Sequence, residues 1–181
     1  MSKNLKAKER ELISLFLISN MQEVIDEMNR YLRDFIEQPS PAFSGFPICP
    51  FVHKARTEGK IKYVVMEFSD ITPDIESEIA SFKIQNEFDL LLFIHPNKQG
   101  LSLEQLNTLV NKLSNNLSPD YWVFSGHPND PTELKGIKFR ADPFPTFQII
   151  AKKTVDEARA KIIKTTYYDQ MPADLKEKIN L

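Results

Sequence analysis

Apolar residues recur at helical spacing from Leu12, Leu15 and Phe16 through Val24, Ile25, Met28, Tyr31, Leu32, Phe35 and Ile36, which predicts amphipathic N-terminal helices within residues 1–38. The pattern then breaks. Pro39, Pro41, Pro47 and Pro50 each remove an amide donor and restrict the preceding residue, so residues 39–52 read as a loop. Its Phe43, Phe46 and Phe51 predict that it packs onto the body instead of joining two independent domains. Beyond it, strand and helix patterns alternate. Lys60 to Asp70 reads as a strand, and Pro73 to about Asn86 as a helix with Thr72 as N-cap. The unbroken apolar run Leu90 to Ile94 has the form of a fully buried central strand. Ser102 caps a helix through about Leu117, with Leu103, Leu106, Leu109, Val110, Leu113 and Leu117 on one face. Tyr121 to Ser125 and Pro145 to Lys153 are two further strands. Thr154 to Lys164 closes the series as a helix with Asp156 and Glu157 in its first turn, where carboxylates suit the dipole. The tail, 165–181, carries a short helical pattern near Ala173 to Ile179.

This order predicts an α/β fold: a mixed sheet of about four strands with flanking helices and an N-terminal helical extension, its α/β core spanning 60–164. At 181 residues the chain reads as a single domain. Composition adds exclusions. Lys and Arg number 23 against 25 Asp and Glu, a net charge of -2 that lacks the electrostatic footprint of a nucleic-acid or anionic-membrane binder. No segment approaches the roughly 18 to 20 apolar residues of a membrane span. The basic start followed by Leu12 to Ile18 imitates a signal peptide, but Glu9 and Glu11 interrupt it and no small-residue cleavage site follows. One Cys forms no internal disulfide and no multi-Cys metal site, and a reducing cytoplasm is the expected compartment.

Four positions carry candidate chemistry. Cys49 stands before Pro50, a residue suited to a first helical turn, where the dipole would favour thiolate. His95 ends the second strand and His127 the third, each followed by Pro, and ligands of α/β sheets bind beyond carboxyl strand ends. If those strands are neighbours, both imidazoles overlook one crevice. Arg140 suits a carboxylate, a phosphate or a haem propionate, or else a salt bridge to Asp142 or another surface acid. The blander readings are a buried Cys49, a surface His53, histidines that cap strand-end loops, and a structural Arg140. There is no Gly-rich phosphate loop, GxSxG or HExxH, and only 5 Gly in all.

The segments Phe46-Pro47-Ile48-Cys49-Pro50-Phe51-Val52, Phe93-Ile94-His95-Pro96, Ser125-Gly126-His127-Pro128 and Phe139-Arg140-Ala141-Asp142-Pro143-Phe144-Pro145-Thr146 follow one another in a distinctive order. Over roughly residues 30 to 160 the chain resembles uncharacterised bacterial domain families marked by a CPF-(A or V) motif, some of them companions of specialised metabolism. More distantly it resembles YqcI/YcgG-type proteins, which include haem-dependent N-hydroxylating enzymes. That resemblance implies an iron-porphyrin site with Cys49, His95 or His127 as axial ligand. Ile48 between Pro47 and Cys49, and Lys152 where the related strand often ends in Arg, depart from it.

Three functions compete. The first is a small-molecule enzyme with oxidative, haem-dependent chemistry on an amino-acid-like substrate, its pocket walled by Phe43, Phe46, Phe51, Phe139, Phe144 and Phe147, with Arg140 and Lys138 facing an anionic group. In the second, a cofactor-free thiol enzyme, Cys49 is the nucleophile and a histidine its activator. The third is a non-catalytic binding or assembly protein, a homo-oligomer joined through the N-terminal helices. The sites favoured are Cys49, His95, His127 and Arg140.

Overall fold

The computed structural model describes residues 18–85, 87–173 and 176. Helix α1 (residues 18–31) runs straight into a π-turn, Leu32–Ile36, in which the Glu37 N–H donates to the Leu32 carbonyl at 2.9 Å. The predicted pair of N-terminal helices is thus one helical run over its described part. Leu12, Leu15 and Phe16 lie outside the described residues. Ile18 and Met21 are exposed, and burial becomes complete at Met28, Leu32 and Ile36.

The Pro-rich segment folds back on itself through a bridge between Pro39 and Pro47 and a 3-10 turn at Pro41–Phe43. Phe43 is 2% exposed, with its ring 5.7 Å from Phe139 and 5.2 Å from Tyr167, so the loop does pack onto the body. It leads into a short helix, α2 (Val52–Thr57). Glu37, just after the π-turn, accepts both Nε and Nη2 of Arg56 at 2.6 and 2.9 Å, which ties α2 to the end of α1.

The four strands are β1 (Ile61–Val65), β2 (Leu90–Ile94), β3 (Tyr121–Gly126) and β4 (Thr146–Ala151), in the spatial order β1-β2-β4-β3. β1 and β2 are parallel, while β4 is antiparallel to both its neighbours. The fold is α/β with a mixed sheet. β2, the continuous apolar run, is buried at every position, as a strand covered on both faces must be. Helices α3 (Pro73–Gln85) and α4 (Leu103–Leu117) pack over Leu91, Phe93, Val123, Phe147 and Ile149 on one face. α1 and the Pro-rich segment cover Ile61, Val65, Leu90, Leu92 and Ile94 on the other.

The helix starts follow local chemistry. Thr72 Oγ1 accepts the Ile75 N–H at 3.4 Å, and Ser102 with Gln105 forms a reciprocal capping box. Two boundaries differ from expectation. β1 stops at Val65, where its pairing with Ile94 ends, although Met66 N–H still reaches the Ile94 carbonyl at 3.1 Å. Helix α5 (Lys152–Ile162) begins directly after β4, because the ladder with β3 ends at the Tyr121 and Ala151 pair. Asp156 and Glu157 therefore lie beyond the first turn and pair with Lys152 and Lys153. The predicted helix at 173–179 falls largely outside the described residues. Among the described residues no helix is long and apolar enough to cross a membrane.

Phe93 and Phe147 stack at 4.4 Å across the β2 and β4 ladder, and Phe68 meets Phe147 edge-on at 5.0 Å. Both stacked rings are fully buried. Truncation of Phe147 to Ala removes that stack and opens a cavity at the middle of the sheet. The expected loss is about 3–5 kcal/mol, measured as a fall in urea midpoint at unchanged m-value.

Candidate functional site

The two strand-end histidines do not share an open crevice, since β4 separates β2 from β3. Both strands nevertheless end at the same sheet edge, because Thr146 pairs with Ile94 on one side and with Gly126 on the other. His95 is buried, with its ring edge-on to Phe68 at 5.3 Å and its Nδ1 against Asn97, 3.2 Å from that residue's N and 3.0 Å from its carbonyl. A Cβ on Gly100 would lie 2.1 Å from His95 Cε1 and 2.8 Å from Nε2, so the glycine is what lets the ring fit. His127 uses both nitrogens: Nδ1 accepts the Asn129 N–H at 3.0 Å, and Nε2 donates to the Leu101 carbonyl at 2.9 Å. That pattern assigns a neutral ring protonated at Nε2. Both imidazoles hold the turn 97–101 that leads into α4.

Cys49 lies on the opposite face of the sheet, against the cluster that contains Phe43 and Tyr167. It precedes α2 by more than one residue, with Phe51 as the N-cap. The N–H groups of Phe51 and Val52 favour the thiolate, but burial outweighs them and pushes the thiol above its ordinary pKa. His53, exposed, donates from Nδ1 to Glu37 Oε2 at 2.7 Å and so joins the part-buried Glu37 and Arg56 pair. Arg140 is engaged inward: Nη2 donates to Ser125 O at 3.0 Å and to Ser125 Oγ at 2.6 Å, and Nε stands 3.5 Å from Asp130 Oδ2. Its acidic partner is Asp130, so of the two expected alternatives, Asp142 or another acid, the second is the one found. The Arg140 carbonyl also accepts the His127 N–H at 3.1 Å.

These residues do not fit an axial haem site. His127 has no free nitrogen, His95 Nε2 faces Gly100, and burial pushes the Cys49 thiol above its ordinary pKa, against the thiolate an iron would take. Among the described residues no group of three or more His, Cys, Asp or Glu is placed to hold a metal ion. Nor do the six Phe residues wall one pocket. Phe43, Phe144 and Phe147 belong to the core and Phe51 is exposed.

A different set of residues meets at the edge where β3 ends. The π-turn sets Tyr31 and Phe35 on one side of the helix, their ring centroids 5.5 Å apart. They line one side of a shallow, open surface cleft of about 440 Å³; Gly136, Ile137, Lys138 and Ala141 line the other. This second side is a tight hairpin in which Leu134 and Ile137 exchange N–H···O bonds at 3.0 Å, while Lys135 and Gly136 take φ of 51° and 78°. Two successive positive φ values are those of a type I′ turn.

Behind the cleft sits Asp142. Its carboxyl is turned inward onto Gly126, where a Cβ would come within 2.0 Å of Oδ2, and it accepts the Thr146 hydroxyl at 2.6 Å. Burial pushes the carboxyl up to about 6, against the opposing pull of Thr146, Tyr31 and Arg140. The Tyr31 hydroxyl neighbours this carboxyl and is buried, yet reaches no hydrogen-bond partner in good geometry. Burial and Asp142 together drive the phenol well above its ordinary pKa, so it stays protonated. A buried phenol without a partner costs about 1–3 kcal/mol. The sequence signals for this cluster were slight: a Tyr in an otherwise apolar helical stripe, a Lys-Gly step, and an Asp beside an Arg.

Compared with known proteins, the chain matches no family model, no curated protein and no solved structure.

Two consequences are measurable. Between about pH 4 and 6 native Asp142 keeps a proton that the unfolded chain has released, given its shift from 3.8 to about 6. Its contribution is complete below about pH 3.8 and is lost as pH rises through about 6, at most about 3 kcal/mol. Asp142→Asn should flatten this part of the urea-stability profile and gain on the wild type at pH 7. An unchanged pH profile would place the titration elsewhere. Native Cys49 should react with iodoacetamide at least about tenfold slower than an ordinary free thiol at pH 8, and at the ordinary rate in urea.

Proposed function

We propose that this chain is a small-molecule enzyme that works by proton transfer, with Tyr31 and Asp142 as its paired groups and the cleft before them as the substrate site. The observation that carries the reading is the buried Tyr31 hydroxyl, its contact with the neighbouring Asp142 carboxyl poorly formed, behind a cleft that Tyr31 itself lines. Catalytic hydrogen bonds are often unmade without ligand and tighten when one enters. A ligand whose polar atom reaches the Tyr31 hydroxyl would complete its hydrogen bonding. The chemistry is a relay. A basic ligand atom takes the Tyr31 proton, the phenol oxygen takes the proton of neutral Asp142, and the products are a protonated ligand, an intact phenol and a carboxylate. The reverse sequence removes a proton from substrate when Asp142 starts ionised. A carboxyl pushed up to about 6 suits either direction near neutrality.

The oxidative, haem-dependent version draws on the family resemblance alone, and the thiol version needs an ionised Cys49 that its burial opposes. The test is a screen of small aromatic carbonyl and carboxyl compounds by amide chemical shifts. Binders should perturb residues 31–36 and 136–142, and should bind Tyr31→Phe about tenfold more weakly, the equivalent of one hydrogen bond, although that variant folds normally. Binders that leave those amides unmoved, or equal affinity for Tyr31→Phe, would remove the reading.

A further inference from the structure

The cleft has one charge among its lining residues. Tyr31, Phe35, Ile137, Ala141 and Gly136 supply aromatic, aliphatic and bare backbone surface, and Lys138 alone brings an ammonium group. The cations around it on the same segment are committed. Lys135 donates to Gln170 Oε1 at 2.6 Å, and Arg140 is bound to Ser125 and stands against Asp130. Lys138 has no ion pair or side-chain hydrogen bond with any described residue. Nearby carboxylates do not serve it either. Asp34, in the π-turn, is paired with Arg33 at 2.6 Å, and Asp142 is turned away onto Gly126 and Thr146.

The backbone makes this wall a fixed one. The two-residue turn at Lys135 and Gly136 locks Ile137, and the Ala141 N–H donates to the Lys138 carbonyl at 3.3 Å. Lys138 therefore leaves a braced backbone that lines the same cleft as Tyr31 and Phe35. From this we infer that the cleft takes an organic monoanion with a flat apolar body, its plane against Tyr31 and Phe35 and its anionic group on the Lys138 ammonium. The inference rests on the proposed reading of the cleft as a substrate site and adds the chemical class. Charge complementarity at the rim selects among flat molecules that the apolar walls would accept equally.

The probes are 2-naphthoate and its neutral isostere 2-naphthamide, each titrated into the full chain at pH 7 with amide shifts as the readout. 2-Naphthoate should bind about fivefold more tightly, the scale of one partly exposed ion pair, and lose that margin in high salt. Lys138→Ala should abolish the difference and Lys138→Arg should keep it. Equal affinities of the two probes at residues 31–36 and 136–142 would overturn the anion class and leave the cleft standing. An advantage for 2-naphthoate that survives in Lys138→Ala would also overturn it. If neither probe moves those amides, the substrate-site reading falls together with this inference.

Discussion

The antiparallel insertion of β4 between β2 and β3 determines what the rest of the molecule can do. β2 and β3 run the same way and β4 runs opposite to both, so its first residue meets both of their last ones. Thr146 is that residue. Its backbone ties Ile94 to Gly126, and its hydroxyl holds the Asp142 carboxyl immediately upstream. The stacked Phe93 and Phe147 rings, fully buried next along the ladder, prevent the register from slipping by one, since a slip would turn every side chain of β4 to the wrong face. The candidate cluster thus sits where two ladders terminate together. Its position follows from pairing, with little left to loop conformation.

The same insertion explains why the histidines became structural. His95 and His127 leave the sheet on either side of β4, and both rings turn to the one segment that bridges the gap on that face, 97–101. Pro after each histidine removes the N–H that would have continued the chain in register, so the next amides, those of Asn97 and Asn129, fold back onto the rings. His-Pro at a strand end is in this fold a device for turning a corner. Arg140 belongs to the same construction, since its carbonyl accepts the His127 N–H while its guanidinium covers Ser125 on the outermost strand.

Local signals made most of the fold legible in the sequence. The unbroken Leu90–Ile94 run reads as a strand covered on both faces, and Ser102 with Gln105 is a cap that needs no tertiary help. Boundaries set by pairing were less legible. Whether Lys152 belongs to β4 or α5 depends on where β3 runs out, and β3 is remote in the chain. The π-turn depends on distant contacts as well: the Cys49 N–H reaches the Ile36 carbonyl at 3.3 Å, and Glu37 meets Arg56. Tyr31 and Asp142 were invisible as a pair for the same reason. Each has an ordinary local explanation, one as an amphipathic helix position and the other as the neighbour of an Arg, and only the docking of α1 over the end of β3 and β4 brings them together.

That docking has an energetic tension at its centre. A fully satisfied interface would have placed an apolar side chain at position 142, or given the Tyr31 hydroxyl an acceptor in good geometry. Instead a carboxyl sits on a glycine shelf with one firm hydrogen bond, from Thr146, beside a phenol whose contact with it is poorly formed. Replacing Gly126 by any other residue would expel the carboxyl, so the shelf serves Asp142 specifically. Core packing gives no reason for the arrangement, since Phe144 and Tyr167 fill that side of the sheet without help from Asp142. Polar groups left incompletely satisfied under a cleft are where strain and chemistry coincide in folded proteins. The constraint that set β4 between its neighbours therefore also set a buried carboxyl beside a buried phenol at the end of β3.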